Sequence, residues 1–196
     1  MGPDPVQIRI HNNRNSRYSP FTSSQDGNAN YLQENYSVDL PIFSIHGNHD
    51  DPTREGGGTE PLAALDLLAV TNLLNYFGRQ DQVDKVEVSP VLMQKGDTHV
   101  ALYGMGSLRD ERLNRMWQSN KVRFLQAPKD DDDYWFSMFC LHQNRDLGRG
   151  SKNCVHESMI PDWMDLVSVR FCNRHPHTCA CVCFFCGALH SRIVVV

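Results

Sequence analysis

An α/β fold is what this sequence predicts, and three observations predict it. Leu40-Pro-Ile-Phe-Ser-Ile45 is a short apolar run of strand type that empties into a polar loop carrying Asn48, His49 and Asp50. Tyr134–Leu141 repeats the arrangement and delivers His142-Gln143-Asn144. Between the two lies a stretch of helical periodicity, so strands and helices alternate along the chain. Folds of this class place their chemistry at the carboxyl ends of strands, where both polar loops fall.

The elements follow in order. Residues 1–38 are polar and weakly periodic, with Asn-Asn-Arg-Asn-Ser at 12–16, and read as mostly loop with a short strand over Val6–Ile10. After the Asn48 loop, Gly56–Gly58 end the polar segment and Thr59 caps a helix over 61–77. Leu62, Leu65, Leu68, Ala69, Leu73 and Tyr76 form its apolar face, opposite Asp66, Asn72 and Asn75. Lys85–Gln94 and His99–Met105 read as a hairpin turning at Lys95-Gly96-Asp97. Arg109–Gln118 is a short charged helix, and Lys129-Asp-Asp-Asp-Asp133 a solvated turn before the strand Tyr134–Leu141. Ile160–Val167 is the last strand expected, because the sequence changes character at Ser168. Three regions result: a poorly structured 1–38, a folded 39–167 and a cysteine-rich tail, 168–196.

Composition narrows the class further. The 196 residues suffice for one domain with a sizeable core, and 40% hydrophobic with 21% charged residues is ordinary for a soluble globular protein. A net charge of −4 advertises no global attraction to nucleic acid, which leaves local patches to decide such binding. No apolar run is long enough to span a membrane and no signal-peptide segment opens the chain, so the expectation is an intracellular protein without a membrane partner.

Four motifs carry a resemblance. They are His46-Gly-Asn-His-Asp-Asp-Pro52, Ser89-Pro-Val-Leu-Met-Gln-Lys-Gly96, Leu102-Tyr-Gly-Met-Gly-Ser107 with Arg109-Asp-Glu-Arg-Leu113, and Leu141-His-Gln-Asn-Arg145. Gly-Asn-His-Asp is the signature of calcineurin-like metallophosphoesterases. The other three narrow it: residues 5–167 resemble the double-strand-break-repair nucleases of the Mre–SbcD family, in their eukaryotic branch. The resemblance implies a four-layer sandwich of two β-sheets flanked by helices. It implies Mn²⁺-dependent exo- and endonucleolytic hydrolysis of DNA at broken ends, in the nucleus. Partners implied are an ABC-type ATPase of the Rad/SbcC kind, a nibrin-type subunit and a second copy bound through helix 61–77. Asn48 and His142 resemble ligands of a two-metal centre. His49 resembles the imidazole that protonates the leaving oxygen, with Asp50 as the group that orients it.

The family's other ligands lie in an Asp-x-His, a Gly-Asp and a late Gly-His-x-His. The chain is expected to begin downstream of the first two, and Asp165-Leu-Val167 leads into Ser-Val-Arg-Phe-Cys rather than the third. With neutral donors alone, a pair of hard dications should not assemble, so this chain is expected to be catalytically incomplete. Asp97-Thr-His99 and His175-Pro-His177 carry similar letters in the wrong places. In the tail, Cys181, Cys183, Cys186 and His190 admit a zinc module. A translated intron or frameshift after Val167 is the favoured alternative, and on either reading the sheet is expected to lose its next strand.

Overall fold

The computed structural model describes residues 9–11, 42–51, 64–80, 84–128, 134–144, 154–170, 181–185 and 193–195. The first half holds β1 (Arg9–His11), β2 (Phe43–Ser44), α1 (Ala64–Val70), β3 (Asn75–Tyr76), β4 (Val86–Val88) and β5 (Pro90–Lys95). Then come β6 (Thr98–Met105), α2 (Asp110–Gln118), β7 (Val122–Phe124), β8 (Trp135–His142), β9 (Leu166–Arg170), β10 (Cys181–Phe185) and β11 (Ile193–Val195). The fold is mixed α/β.

Seven strands form the main sheet in the order β1-β5-β6-β8-β9-β10-β11. Its centre is parallel, β6 on β8 and β8 on β9, and antiparallel strands continue it on both sides. The two central strands alternate strictly, and the alternation makes two cores. Tyr103, Met105, Phe139, Leu141, Val167 and Val169 point to one face, where Leu113 and Met116 of α2 and Val86 and Val88 of β4 cover them. Leu102, Met138 and Cys140 point to the other face, under Phe77 and the partly buried Phe43 and Ile45. Even-numbered positions of β6, β8 and β9 thus share the face on which β2 and β3 lie.

Tyr103 is fully buried in the first core, its ring edge-on to Trp163 with centroids 5.4 Å apart. Tyr103 pairs in register with Phe139, which Phe124 of β7 meets at 90°. The long strand expected over 85–94 is two strands. Ser89 breaks it, so that β4 pairs with β7 in a sheet of its own while β5 forms the hairpin with β6. The expected turn residues Gly96 and Asp97 do make that hairpin, with Gly96 at φ 56° and nothing crowding its missing side chain.

Two further expectations need correction. The helix of 61–77 holds only from Ala64 to Val70 among the described residues, because Asn72 turns left-handed at φ 58°. Asn72 N–H then reaches Ala69 O at 2.9 Å and Leu73 N–H reaches Leu68 O at 3.0 Å, a Schellman stop. Asn75 and Tyr76 therefore belong to a strand. Asp66, assigned to the solvent face, is buried and meets Arg79 at 3.2 Å, while Leu67 and Leu73 stand outward. Second, β9 does not end at Val167. It runs through Ser168 to Arg170, and Cys181–Phe185 adds antiparallel to it, so the sheet has a next strand. Cys-Val-Cys-Phe-Phe is rich in the aromatic and β-branched residues that fit a pleated surface.

The other elements shift by a residue or so. Arg109 becomes the extended residue before α2, and His142 joins the end of β8. The expected strand of Ile160–Val167 begins only at Leu166, after a 3₁₀ turn at Glu157–Met159. Leu40 and Pro41, most of 1–38, and the pair His175 and His177 lie outside the described residues, as do Cys186 and His190.

Burial pushes the Tyr103 phenol up to about 12. A raised value means stability is full below the free phenol's value of about 10 and is lost as pH rises through the folded value. We expect the urea midpoint to fall steeply above pH 10, and the Tyr103→Phe variant to show a flatter alkaline limb. Equal slopes in the two proteins would contradict this assignment.

Candidate functional site

The site is built by locking one loop to three others. β2 is only two residues long and pairs parallel with β3, Phe43 opposite Asn75 and Ser44 opposite Tyr76. Asn75 strengthens the pair by donating both its backbone N–H and its side-chain amide to Ile42 O, at 2.8 and 3.0 Å. The chain leaves this pair at His46, which is 3% exposed.

His46 is the pivot. Its Nε2 lies 3.2 Å from Ser107 O, and a carbonyl only accepts, so Nε2 carries the proton. Nδ1 is then free to accept from the Tyr76 hydroxyl at 2.8 Å. Both nitrogens are satisfied in the neutral ring, and burial holds its pKa below the ordinary value. The Ser107 carbonyl and the nearby Asp51 and Asp50 pull the other way. Ser107 N–H returns a bond to His46 O at 3.0 Å. The ring lies so close to Gly106 that a Cβ there would stand 2.0 Å from Cε1. Only glycine fits.

Gly47 comes next, and its backbone passes over the imidazole of His142: a Cβ on Gly47 would meet Cε1 at 3.1 Å. Asp50 N–H bonds Gly47 O at 3.2 Å and closes a turn through Asn48 and His49. That turn and His142 face one cavity of about 610 Å³, with Asn48, His49, Asp50 and His142 all in its wall. Leu102, Cys140 and Ser168 complete the floor, each an even-numbered position on that face of the sheet. All four sequence-predicted site residues are therefore brought together.

The loop after β8 is fixed from the opposite direction. Gln143, buried, donates to Gly106 O at 3.4 Å, and Asn144 donates to the Asp110 carboxylate at 2.6 Å. Asp110 opens α2, where a carboxylate suits the positive end of the helix. Val155 N–H bonds Asn144 O at 2.8 Å from the far side. Asp97 and His99 lie elsewhere, at the other end of β6; the His99 ring packs on Trp135 with centroids 5.0 Å apart.

As a metal centre the cavity is short of charge. Its side-chain donors are one amide oxygen, two imidazoles, two hydroxyls, one thiol and the single Asp50 carboxylate. Among the described residues no group of three or more His, Cys, Asp or Glu stands together as an ion site. Hard dications take several anionic oxygens, so these residues alone do not fit a two-ion pair.

The comparisons agree with the motifs. The chain is 44% identical over 183 residues to the double-strand break repair protein MRE11 of Homo sapiens, covering 91% of this chain and 23% of that protein. It is 43% identical over 162 residues to double-strand break repair protein mre-11 of Caenorhabditis elegans, covering 81% and 21%. The figures for mus-23 of Neurospora crassa are 44% over 151 residues, 77% and 19%. The chain belongs to the MRE11 family. It spans less than a quarter of the length of these curated relatives. No protein-family model matches it.

The MRE11-type motifs now acquire physical content that sequence reasoning missed. Gly106 and Ser107 of the Tyr-Gly-x-Gly-Ser run are the seat of His46, and Gly104 leaves room for Phe77, whose ring a Cβ would meet at 2.3 Å. Asp110 of Asp-Glu-Arg-Leu and Asn144 of His-Gln-Asn-Arg are a bonded pair. Only Tyr76 carried no signal, since it lay inside the expected helix.

We expect Gly106→Ala to cost roughly 3 kcal/mol by urea denaturation, the upper end of overpacking penalties, because the ring and the strand end are both held. The same change in a His46→Ala background should cost far less. A full penalty in both backgrounds would mean that Gly106 is needed for some other contact.

Proposed function

We propose that this chain carries the second part of a metal-dependent DNA-repair nuclease. The parent is a four-layer metallophosphoesterase sandwich that hydrolyses phosphodiesters at broken DNA ends in the nucleus. The observation that carries the reading is convergence: Asn48, His49, Asp50 and His142 meet in one cavity although His142 lies far along the chain. The relatives' name, double-strand break repair protein, supports the choice of DNA.

In this reading a pair of Mn²⁺ ions, held by the whole protein, would supply Lewis-acid chemistry and positive charge at the phosphate. Asn48 would offer its amide oxygen and His142 an imidazole nitrogen, with the missing carboxylates coming from the family segments that bear the Asp-x-His and Gly-Asp motifs. His49 is exposed at the cavity mouth, where its imidazole would protonate the departing sugar oxygen. Asp50 orients it. The ATPase of Rad/SbcC kind and the nibrin-type subunit belong to the same assembly.

By itself the chain should not cleave labelled duplex in Mn²⁺. Joined to the family segments that bear the Asp-x-His, Gly-Asp and Gly-His-x-His ligands, it should cleave. His49→Ala should then slow that cleavage by about 10²–10⁴-fold. Cleavage by the chain alone that vanishes in His142→Ala would show a working site without those ligands and would overturn the incomplete reading.

A specific observation favours a second reading, a non-catalytic fragment that retains a dimer contact. On α1 and the turn after it, Leu67, Val70 and Leu73 are 54–64% exposed, as is Ile42 ahead of β2, while the polar Asp66 faces inward. Apolar patches of this kind mark association surfaces, and the occupant proposed is a second copy of this chain. Light scattering should find a dimer that Leu67→Glu with Leu73→Glu converts to monomer, with the melting transition retained. A wild-type monomer at high micromolar concentration would eliminate this reading.

A further inference from the structure

A second cavity, of about 470 Å³, lies along α2 and is unlike the first. Arg109, Arg112, Arg115 and Lys121 line it, with the carboxylates of Asp84 and Glu111. The chain has a net charge of −4, yet four of its cations converge here against two acids. Charge is locally reversed. Arg109, Arg112 and Arg115 recur every three residues, so they neighbour one another on the helix surface and climb it in steps of about 4.5 Å. Lys121 continues the row past the end of the helix, at the foot of β7.

The position of this row gives it meaning. Its upper end, Arg109, adjoins Asp110, which holds Asn144 at 2.6 Å just beyond His142. The cations therefore start beside the loop that builds the candidate site and run away from it for the length of α2. A single small anion needs one such group. A row of guanidinium groups, whose forks match phosphate oxygens, suits a polymer that carries one charge per unit.

We infer that the α2 cavity is a phosphate-backbone contact, holding one strand of DNA that extends from the candidate site. The inference rests on the function proposed above for its choice of polyanion. The contact is electrostatic and independent of sequence: cations displace the counterions condensed on DNA, and affinity falls with salt in proportion to the phosphates neutralised. Glu111 and Asp84 work against it and limit how tightly it holds.

The test uses the whole chain in EDTA, with anisotropy of a fluorescein-labelled duplex read across a salt series. Replacing Arg109, Arg115 and Lys121 by Gln should weaken binding at least ten-fold at about 100 mM salt. It should also flatten the plot of log affinity against log salt by about one unit per cation removed. All three side chains are exposed, so the variant should melt as the parent does. Glu111→Gln should tighten binding, an opposite change that a misfolded variant could not produce. Lys95→Gln, on the hairpin away from this cavity, should leave affinity within two-fold. Unchanged affinity and slope in the triple variant would overturn the inference, as would failure of the parent to bind duplex. Competition by an acidic polyglutamate peptide equal to that of unlabelled duplex would also overturn it, by making the occupant a protein segment. EDTA removes all metal chemistry, so failure here leaves the cleavage test standing, and the reverse.

Discussion

The contact between the His46 ring and Gly106 decides where everything else in the site can be. The two residues come from β2's exit and β6's exit, and the 2.0 Å that would separate ring from Cβ shows that the segments touch with no side chain between. Hydrogen bonds run both ways across the same contact, Nε2–H to Ser107 O and Ser107 N–H to His46 O. The Tyr76 hydroxyl completes the set and couples it to β3. Because burial disfavours the charged form of the ring, the lock is made of dipoles and shape rather than charge. Its geometry holds Gly47 against His142, and from that follows the turn that presents Asn48, His49 and Asp50.

Much of this was legible in the sequence, for a physical reason. The strands of 98–105 and 135–142 have two packed faces, so nearly every residue reads apolar, and short apolar runs bounded by polar turns mark them as strands. The polar loops at their ends follow from chain continuity. Convergence of Asn48 with His142 came from motif resemblance, and no pattern of spacing would have produced it.

The overlong reading of α1 has a physical cause, which the correctly bounded α2 also displays. α1 ends at Asn72 and α2 ends at Asn120, both left-handed, at φ 58° and 53°. In each case the next residue bonds back five positions, Leu73 to Leu68 and Lys121 to Met116. An asparagine in a helical pattern reads as a polar face position, whereas here it is the stop. Once 71–77 was counted as helix, Tyr76 could not be seen as the hydroxyl on His46. Asp66 misled for another reason: its burial is offset by Arg79, a partner 13 positions away that periodicity cannot reveal.

The lock between His46 and Ser107 also has a kinetic side. Its partners are 61 positions apart, and the central strands pair in parallel, an arrangement that local turns cannot nucleate. Loop closure must be achieved before the contact returns any free energy. On a ribosome the His46 segment would emerge long before its glycine seat, and His142 later still. The site therefore waits on three separate segments, and until Ser107 has been made the histidine destined for the interior stays solvated.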